Sequence, residues 1–286
     1  MNRTVVASLA LLIAGCTAAV AAPHSAPAPA APAPAVPAAA SATPAPRPAF
    51  DMGPPYLPGP LPAGETLVGA PPAAGSTAMQ RDEALSAAGL ALVGSPRFAL
   101  AARDADLGPG AVPAAFACAA GVTVSDSATP AIMHLLRRAT ADFGISTSGV
   151  KALYNRARPF TVNHRPTCVP NDEAALRGNG SYPSGHSAIG YGTGLLLASV
   201  FPDKAAALTR RGIAFGDSRR VCNVHWDSDI TAGRDFAAAT FARLQSDPAF
   251  RDDLAKAQAE AKTLAATATA TSPANCAAEA AALAAG

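Results

Sequence analysis

His225 and Asp229 stand four residues apart in Ser218-Arg219-Arg220-Val221-Cys222-Asn223-Val224-His225-Trp226-Asp227-Ser228-Asp229. On a helix that spacing lets the carboxylate accept the imidazole Nδ1 proton, which leaves Nε2 free as a nucleophile. A second histidine, His186, lies in Gly180-Ser181-Tyr182-Pro183-Ser184-Gly185-His186-Ser187, a polar loop that runs into an apolar stretch at residues 189–201. Pro183 cannot sit inside a helix, Ser184 is a good N-cap and Gly185 leaves the backbone open to close approach. The loop therefore reads as a helix N-terminus whose first N–H groups form an anion cradle. His186 at that mouth could give a proton to a leaving group beside a bound oxyanion. Lys151 and Arg158, seven residues apart, fall two turns apart on one helix face, with Pro159 ending the helix.

Each segment has a plainer reading when taken alone: an N-cap turn with an incidental histidine, a solvated pair of cations, a surface His/Asp pair. Together they supply what phosphoryl transfer requires. The charge on three equatorial oxygens is met by Lys151 as a compact charge, Arg158 and Arg219 as planar forks, and the backbone N–H groups of Ser184, Gly185 and His186. His225 attacks phosphorus in line while His186 protonates the leaving oxygen, and water then attacks the phosphohistidine with His186 as base. No metal and no cofactor are expected, because no carboxylate cluster accompanies these residues.

The elements that must hold these groups read as helices. The chain has 286 residues, enough for one sizeable core, and is rich in Ala but only 5% aromatic. Apolar periodicity predicts helices over residues 76–92 (with Arg81, Asp82 and Glu83 on the polar side), 96–106, 130–144, 149–157, 187–200, 204–215, 225–246 and 248–265. Residues 50–75, dense in proline, read as ordered but irregular wrapping, and residues 160–182 as a long loop. No strand pattern of useful length occurs, so the expected class is all-α: a single compact helical-bundle domain over 50–265. A formal charge of +2 without an Arg/Lys-rich run speaks against a nucleic-acid partner.

Residues 1–21 resemble a secretory signal, with Arg3 ahead of an apolar run and Ala19-Val20-Ala21 as a cleavage site. Ile13-Ala14-Gly15-Cys16 also resembles a lipobox, which would leave a lipid anchor at Cys16. Residues 22–49 read as a disordered Ala/Pro tether and 266–286 as an Ala-rich tail, loose except near Cys276. Cys118, Cys168, Cys222 and Cys276 make an even set that suggests two disulfides in an exported chain. Three pairings are open; Cys168 with Cys222 is favoured because both lie near the site segments, leaving Cys118 with Cys276. Trp226, His24, His134 and His164 are given packing or solvent-facing roles.

The three segments in this order and spacing resemble the full signature of the type 2 phosphatidic acid phosphatase superfamily, whose fold is shared with vanadium haloperoxidases. The octapeptide at residues 180–187 is similar to that of the class A bacterial non-specific acid phosphatases. The resemblance runs from about Ala78 to Gln258; Ser187 replaces a common Thr, and Arg220 makes the third segment unusually basic. It implies an all-helical, periplasmic enzyme that hydrolyses small organic phosphate monoesters at acidic pH, and it admits a homodimer. It assigns His225 as nucleophile, Asp229 as its orienting partner, His186 as acid/base, and Lys151, Arg158, Ser184, Gly185 and Arg219 as phosphate ligands.

Two rivals keep the same cradle: a vanadium-dependent haloperoxidase, and a periplasmic phosphate-binding protein without turnover. The second leaves the His225/Asp229 pair and His186 without purpose. A bilayer-embedded phosphatase needs several spans of about 20 apolar residues, and residues 189–201 are too short and are interrupted by Gly190, Gly192 and Gly194. No membrane span is expected after the signal.

Overall fold

The computed structural model describes residues 52–267 and 275–285. The signal segment and the tether fall outside them. Among the described residues there is no strand, and the all-α expectation holds. The helices are α1 (Gly64–Val68), α2 (Thr77–Leu90), α3 (Pro96–Arg103), α4 (Ala111–Ala120), α5 (Pro130–Ser146), α6 (Ser148–Tyr154) and α7 (Pro159–Asn163). They continue as α8 (Glu173–Arg177), α9 (Gly185–Val200), α10 (Ala205–Val221), α11 (Asp227–Leu244), α12 (Pro248–Thr267) and α13 (Cys276–Ala284).

Helix α9 is the axis of the bundle, and α10, α11, α5, α12 and α4 pack around it. It can be approached closely because its residues are small. A Cβ on Gly212 of α10 would stand 2.8 Å from the Gly190 carbonyl oxygen, so only glycine allows that crossing. Around this contact Phe143, Phe215, Phe236, Leu197 and Ile132 are fully buried and form the main core. The N-terminus of α5 is capped from a distant helix: Glu260 of α12 accepts the Ala131 and Ile132 amides at 3.1 and 2.9 Å, which satisfies donors that have no partner within their own helix. The irregular wrap is fastened to the same helix, with the Tyr56 and Leu57 amides donating to Asp142 at 2.9 Å each.

Several expected boundaries shift. Helix α4 lies where no helix was expected, because Ala-rich sequence broken by Pro113 gave no clear period; proline is tolerated there as a first-turn residue. The loop at 160–182 contains α7, α8 and a 3-10 turn. Helix α10 continues past Phe215 to Val221 and so carries Arg219 in its last turn. The tail forms α13, joined to α4 by a Cys118–Cys276 disulfide and to α10 by an Arg211–Glu279 ion pair at 3.2 Å. The second disulfide is Cys168–Cys222. No helix among the described residues is long and apolar enough to cross a membrane.

Candidate active site

The N-terminus of α9 forms as its sequence suggests. Ser184 is the N-cap, in extended conformation, and its Oγ accepts the Ser187 amide at 3.2 Å. Gly185 and His186 then occupy the first turn, whose N–H groups have no acceptor inside the helix. The Ser184 amide donates to the Asp229 carbonyl at 2.9 Å, which ties this mouth to α11.

His225 does not lie on a helix with Asp229, as its spacing had suggested. Helix α11 starts at Asp227, with Trp226 as N-cap, and Asp229 is its third residue. Asp229 Oδ2 accepts the Trp226 amide at 2.8 Å and so caps the start of the helix just after His225. His225 is brought to the same carboxylate by the reversal before it: Asn223 takes a left-handed φ of 60°, and the Val224 and His225 amides return to the Arg219 carbonyl at 3.1 and 3.3 Å. The Nδ1 to Asp229 Oδ2 distance is 3.4 Å.

Heavy atoms alone assign the tautomers of both histidines. Arg158 Nη1 lies 3.1 Å from His225 Nε2. A guanidinium can only donate, so Nε2 carries the lone pair and the ring proton sits on Nδ1, towards Asp229. His186 is the reverse: its Nε2 lies 3.1 Å from the Ala105 carbonyl, which can only accept, so in the neutral ring Nδ1 is the free acceptor. Burial, with Arg158 and Lys151 next, holds His225 well below the ordinary histidine value. Burial and then Arg219 do the same to His186. Burial pushes the Asp229 carboxyl up, against the opposing pull of Arg156, Ser181 and the Trp226 amide.

Lys151 and Arg158 do not share a helix face. Helix α6 ends at Tyr154, because Asn155 turns left-handed at φ 38°, and Arg158 is extended ahead of Pro159. Both cations nonetheless reach one loop. Lys151 Nζ donates to the Gly180 and Pro183 carbonyls at 2.7 and 2.8 Å, using two of its three N–H bonds. Arg158 donates to the carbonyls of Leu176, Asn179 and Val224 at 2.9–3.0 Å and to Gly180 at 3.3 Å. Arg219 is 1% exposed, in the last turn of α10. The charge of each of the three is felt at His225.

A family model for the PAP2 superfamily matches residues 132–249. The non-specific acid phosphatase of Salmonella typhimurium (strain LT2) is 41% identical over 191 residues, 66% of this chain and 76% of that protein. The chain belongs to the non-specific acid phosphatases of the PAP2 superfamily. The acid phosphatase of Zymomonas mobilis subsp. mobilis is 40% identical over 190 residues (66% of this chain, 72% of that protein), and the non-specific acid phosphatase of Providencia stuartii 38% over 195 residues (68% and 79%). This chain is accordingly an enzyme, an acid phosphatase.

Sequence reasoning missed four polar residues that hold this candidate site. Ser181 is fully buried and donates its hydroxyl to Asp229 Oδ2. Asn223 exchanges amide hydrogen bonds with Asn163 at 2.8 and 3.1 Å and so fixes the turn before His225. Arg156 donates to Asp229 Oδ1 at 2.6 Å. Asp82, expected on the polar side of its helix, is 2% exposed and bonded to Arg156 and Ser228. Trp226 is packing: its indole donates to the Ala157 carbonyl at 2.9 Å. His134 and His164 are exposed.

Burial, with Arg158 beside it, brings the Lys151 ammonium down to about 7, although Asp229 favours its charge. The ammonium is therefore charged below that value and neutral above it. Sulfate keeps one charge state over this range, so its inhibition constant reports the protein alone. It is expected to rise about tenfold between pH 6 and pH 8 as the cation is lost. An inhibition constant that stays flat across that interval would contradict a Lys151 that both faces the anion and loses its charge near pH 7.

Proposed function

We propose that this phosphatase hydrolyses phosphate monoesters of broad specificity through a phosphohistidine on His225, without a metal, in the periplasm. The observation that carries the reading is the His225 imidazole with Nε2 unprotonated beside Arg158 and Nδ1 turned to Asp229. In the first step the Nε2 lone pair forms a P–N bond, the P–O bond to the leaving alcohol breaks, and the imidazolium form of His186 gives the alkoxide a proton from Nδ1. In the second, neutral His186 takes a proton from water as the water oxygen bonds phosphorus. The P–N bond then breaks, and phosphate leaves with His225 restored.

The electrostatics favour acidic conditions. Burial, then Arg219, with Arg158 adding to them, holds His186 well below the ordinary histidine value and disfavours its imidazolium. A bound phosphate dianion supplies the opposite charge that draws its pKa back up, and low pH fills the acid form. Lys151, Arg158, Arg219 and the Gly185 and His186 amides serve as ligands for the equatorial oxygens, and Ser184, whose amide is spent on the Asp229 carbonyl, adds its hydroxyl. Such a donor set attracts an anion and repels a metal cation, which supports chemistry independent of a metal. Two disulfides suit an oxidising compartment such as the periplasm, as does the signal-like N-terminus. The name of the relatives, non-specific acid phosphatase, accords with broad specificity.

The test is hydrolysis of p-nitrophenyl phosphate by the purified mature chain. Activity is expected to survive EDTA, to be highest in acid and to be blocked by vanadate. Loss of activity in EDTA that returns with a divalent ion would overturn the metal-free part of the reading. An absence of hydrolysis in folded protein would overturn the whole.

A further inference from the structure

Asp229 is fully buried and needs both of its oxygens filled. Oδ2 receives the Trp226 amide, the Ser181 hydroxyl and the His225 Nδ1 proton. Oδ1 receives Arg156 Nη1 at 2.6 Å. The other terminal nitrogen of the same guanidinium donates to Asp82 Oδ2 at 2.8 Å. Asp82, on α2, accepts the Ser228 amide at 2.9 Å and its hydroxyl at 2.5 Å, so it grips the first turn of α11 and Arg156 together. Arg156 is also held through its main chain, whose carbonyl accepts the Ser181 amide at 2.8 Å, and its guanidinium lies over the Trp226 ring at 5.5 Å. A fork fixed at both ends leaves Asp229 one rotamer.

Resting on the phosphohistidine reading above, we propose that Asp82 and Arg156 are positioning residues for the reaction. Asp82 aims the Arg156 fork, and Arg156 keeps Asp229 ionised and turned towards His225 Nδ1, so that the imidazole presents Nε2 to phosphorus. Neither residue touches the phosphoryl group; both act through Asp229. A buried Asp–Arg–Asp chain adds little stability of its own compared with apolar packing, so its presence here fits a role in orientation. The groups facing Asp229 are Arg156, Ser181, His225 and Tyr182, with Lys151 and Arg158 close enough to be felt. Of these, Arg156 opposes protonation of the carboxyl most strongly. As the positive charge develops on His225 during attack, an ionised Asp229 stabilises it, and a protonated one does not.

The experiment compares Arg156→Gln, Arg156→Lys and Asp82→Asn with the parent mature chain. It measures kcat and KM for p-nitrophenyl phosphate across pH 4–8, the inhibition constant of inorganic phosphate, and the melting temperature. Arg156→Gln is expected to lower kcat by about 10–100-fold, the range that removal of an outer hydrogen-bond partner costs at metal-ligating side chains. KM and the phosphate inhibition constant should stay within about threefold, because the anion ligands are untouched. The acid limb of kcat should move up by about one pH unit, since Asp229 then protonates more readily. Asp82→Asn should show the same signature in smaller degree. Arg156→Lys should keep the acid limb near that of the parent but recover only part of kcat, because an ammonium supplies charge without a fork that bridges two carboxylates.

An unchanged kcat and acid limb in Arg156→Gln, while the parent is active and His225→Ala is dead, overturns the positioning role alone. Where Arg156→Gln fails to fold, Asp82→Asn decides in the same way. Losses in kcat matched by equal losses in phosphate binding and melting temperature in all three variants assign a purely structural role and also overturn it. An inactive parent, or an active His225→Ala, overturns the phosphohistidine reading and this inference with it.

Discussion

His225→Ala is expected to lower kcat/KM for p-nitrophenyl phosphate by about 10⁴-fold or more, as removal of a covalent nucleophile does elsewhere. The size follows from what remains. The cationic cradle still binds phosphate, and the Arg156–Asp229 pair at 2.6 Å is untouched, so inorganic phosphate should bind within a few fold of its affinity for the parent. What is lost is the only nitrogen lone pair that the hydrogen-bond pattern leaves on His225, beside Arg158. The substitution removes a neutral ring and leaves no buried charge without its partner, so the fold should survive, and a folded variant can be identified by its melting curve. A variant that binds phosphate and keeps more than about a tenth of the parent activity would remove His225 as the nucleophile.

Gly233→Ala is expected to lower stability by about 1–3 kcal/mol, the usual scale of overpacking, and to lower kcat with it. A Cβ at this position would stand 2.4 Å from the Ser184 carbonyl oxygen and 2.9 Å from Ser187 Cβ. The first of these is backbone at the N-cap of α9 and cannot swing aside. Gly233 is one helical turn beyond Asp229, and the Asp229 carbonyl accepts the Ser184 amide at 2.9 Å. One added methyl therefore pushes the anion cradle away from the helix that carries the His225 partner. The comparison is Gly149→Ala, where an added Cβ meets nothing within 4 Å inside α6 and helix propensity improves. Scanning calorimetry and kcat on the pair separate the cases. Equal melting temperatures and equal turnover for Gly233→Ala and the parent would contradict the packing argument.

The residues that could be read from sequence are those whose role is written in a local pattern. Ser184 announces itself as an N-cap before an apolar stretch, and the cations and histidines carry their chemistry in their side chains. The all-helical class follows from alanine content and a helical period, which survive without knowledge of neighbours. Asp82 could not be read in this way: it lies between the exposed Arg81 and Glu83, and only its partners on distant segments, Arg156 and Ser228, make burial tolerable. The helix start at Asp227 was hidden for a related reason. The N-cap is a tryptophan, and the signal lies in Asp229 reaching back to its amide, while the four-residue spacing suggested a helix that already contained His225. The left-handed turn at Asn155 broke one further expected continuity, the helix over 149–157, since Asn enters that conformation more readily than other side chains but does not announce that it will.

The most direct test of the central claim is to quench a burst of turnover in alkali, where a phosphohistidine persists and phosphate esters of serine are eliminated, and to map the labelled peptide. The account predicts phosphate on the His225 peptide, at near-stoichiometric level in a variant slowed at His186 and absent from His225→Ala. Covalent phosphate on another residue, or none while His225→Ala still turns over substrate, would contradict it.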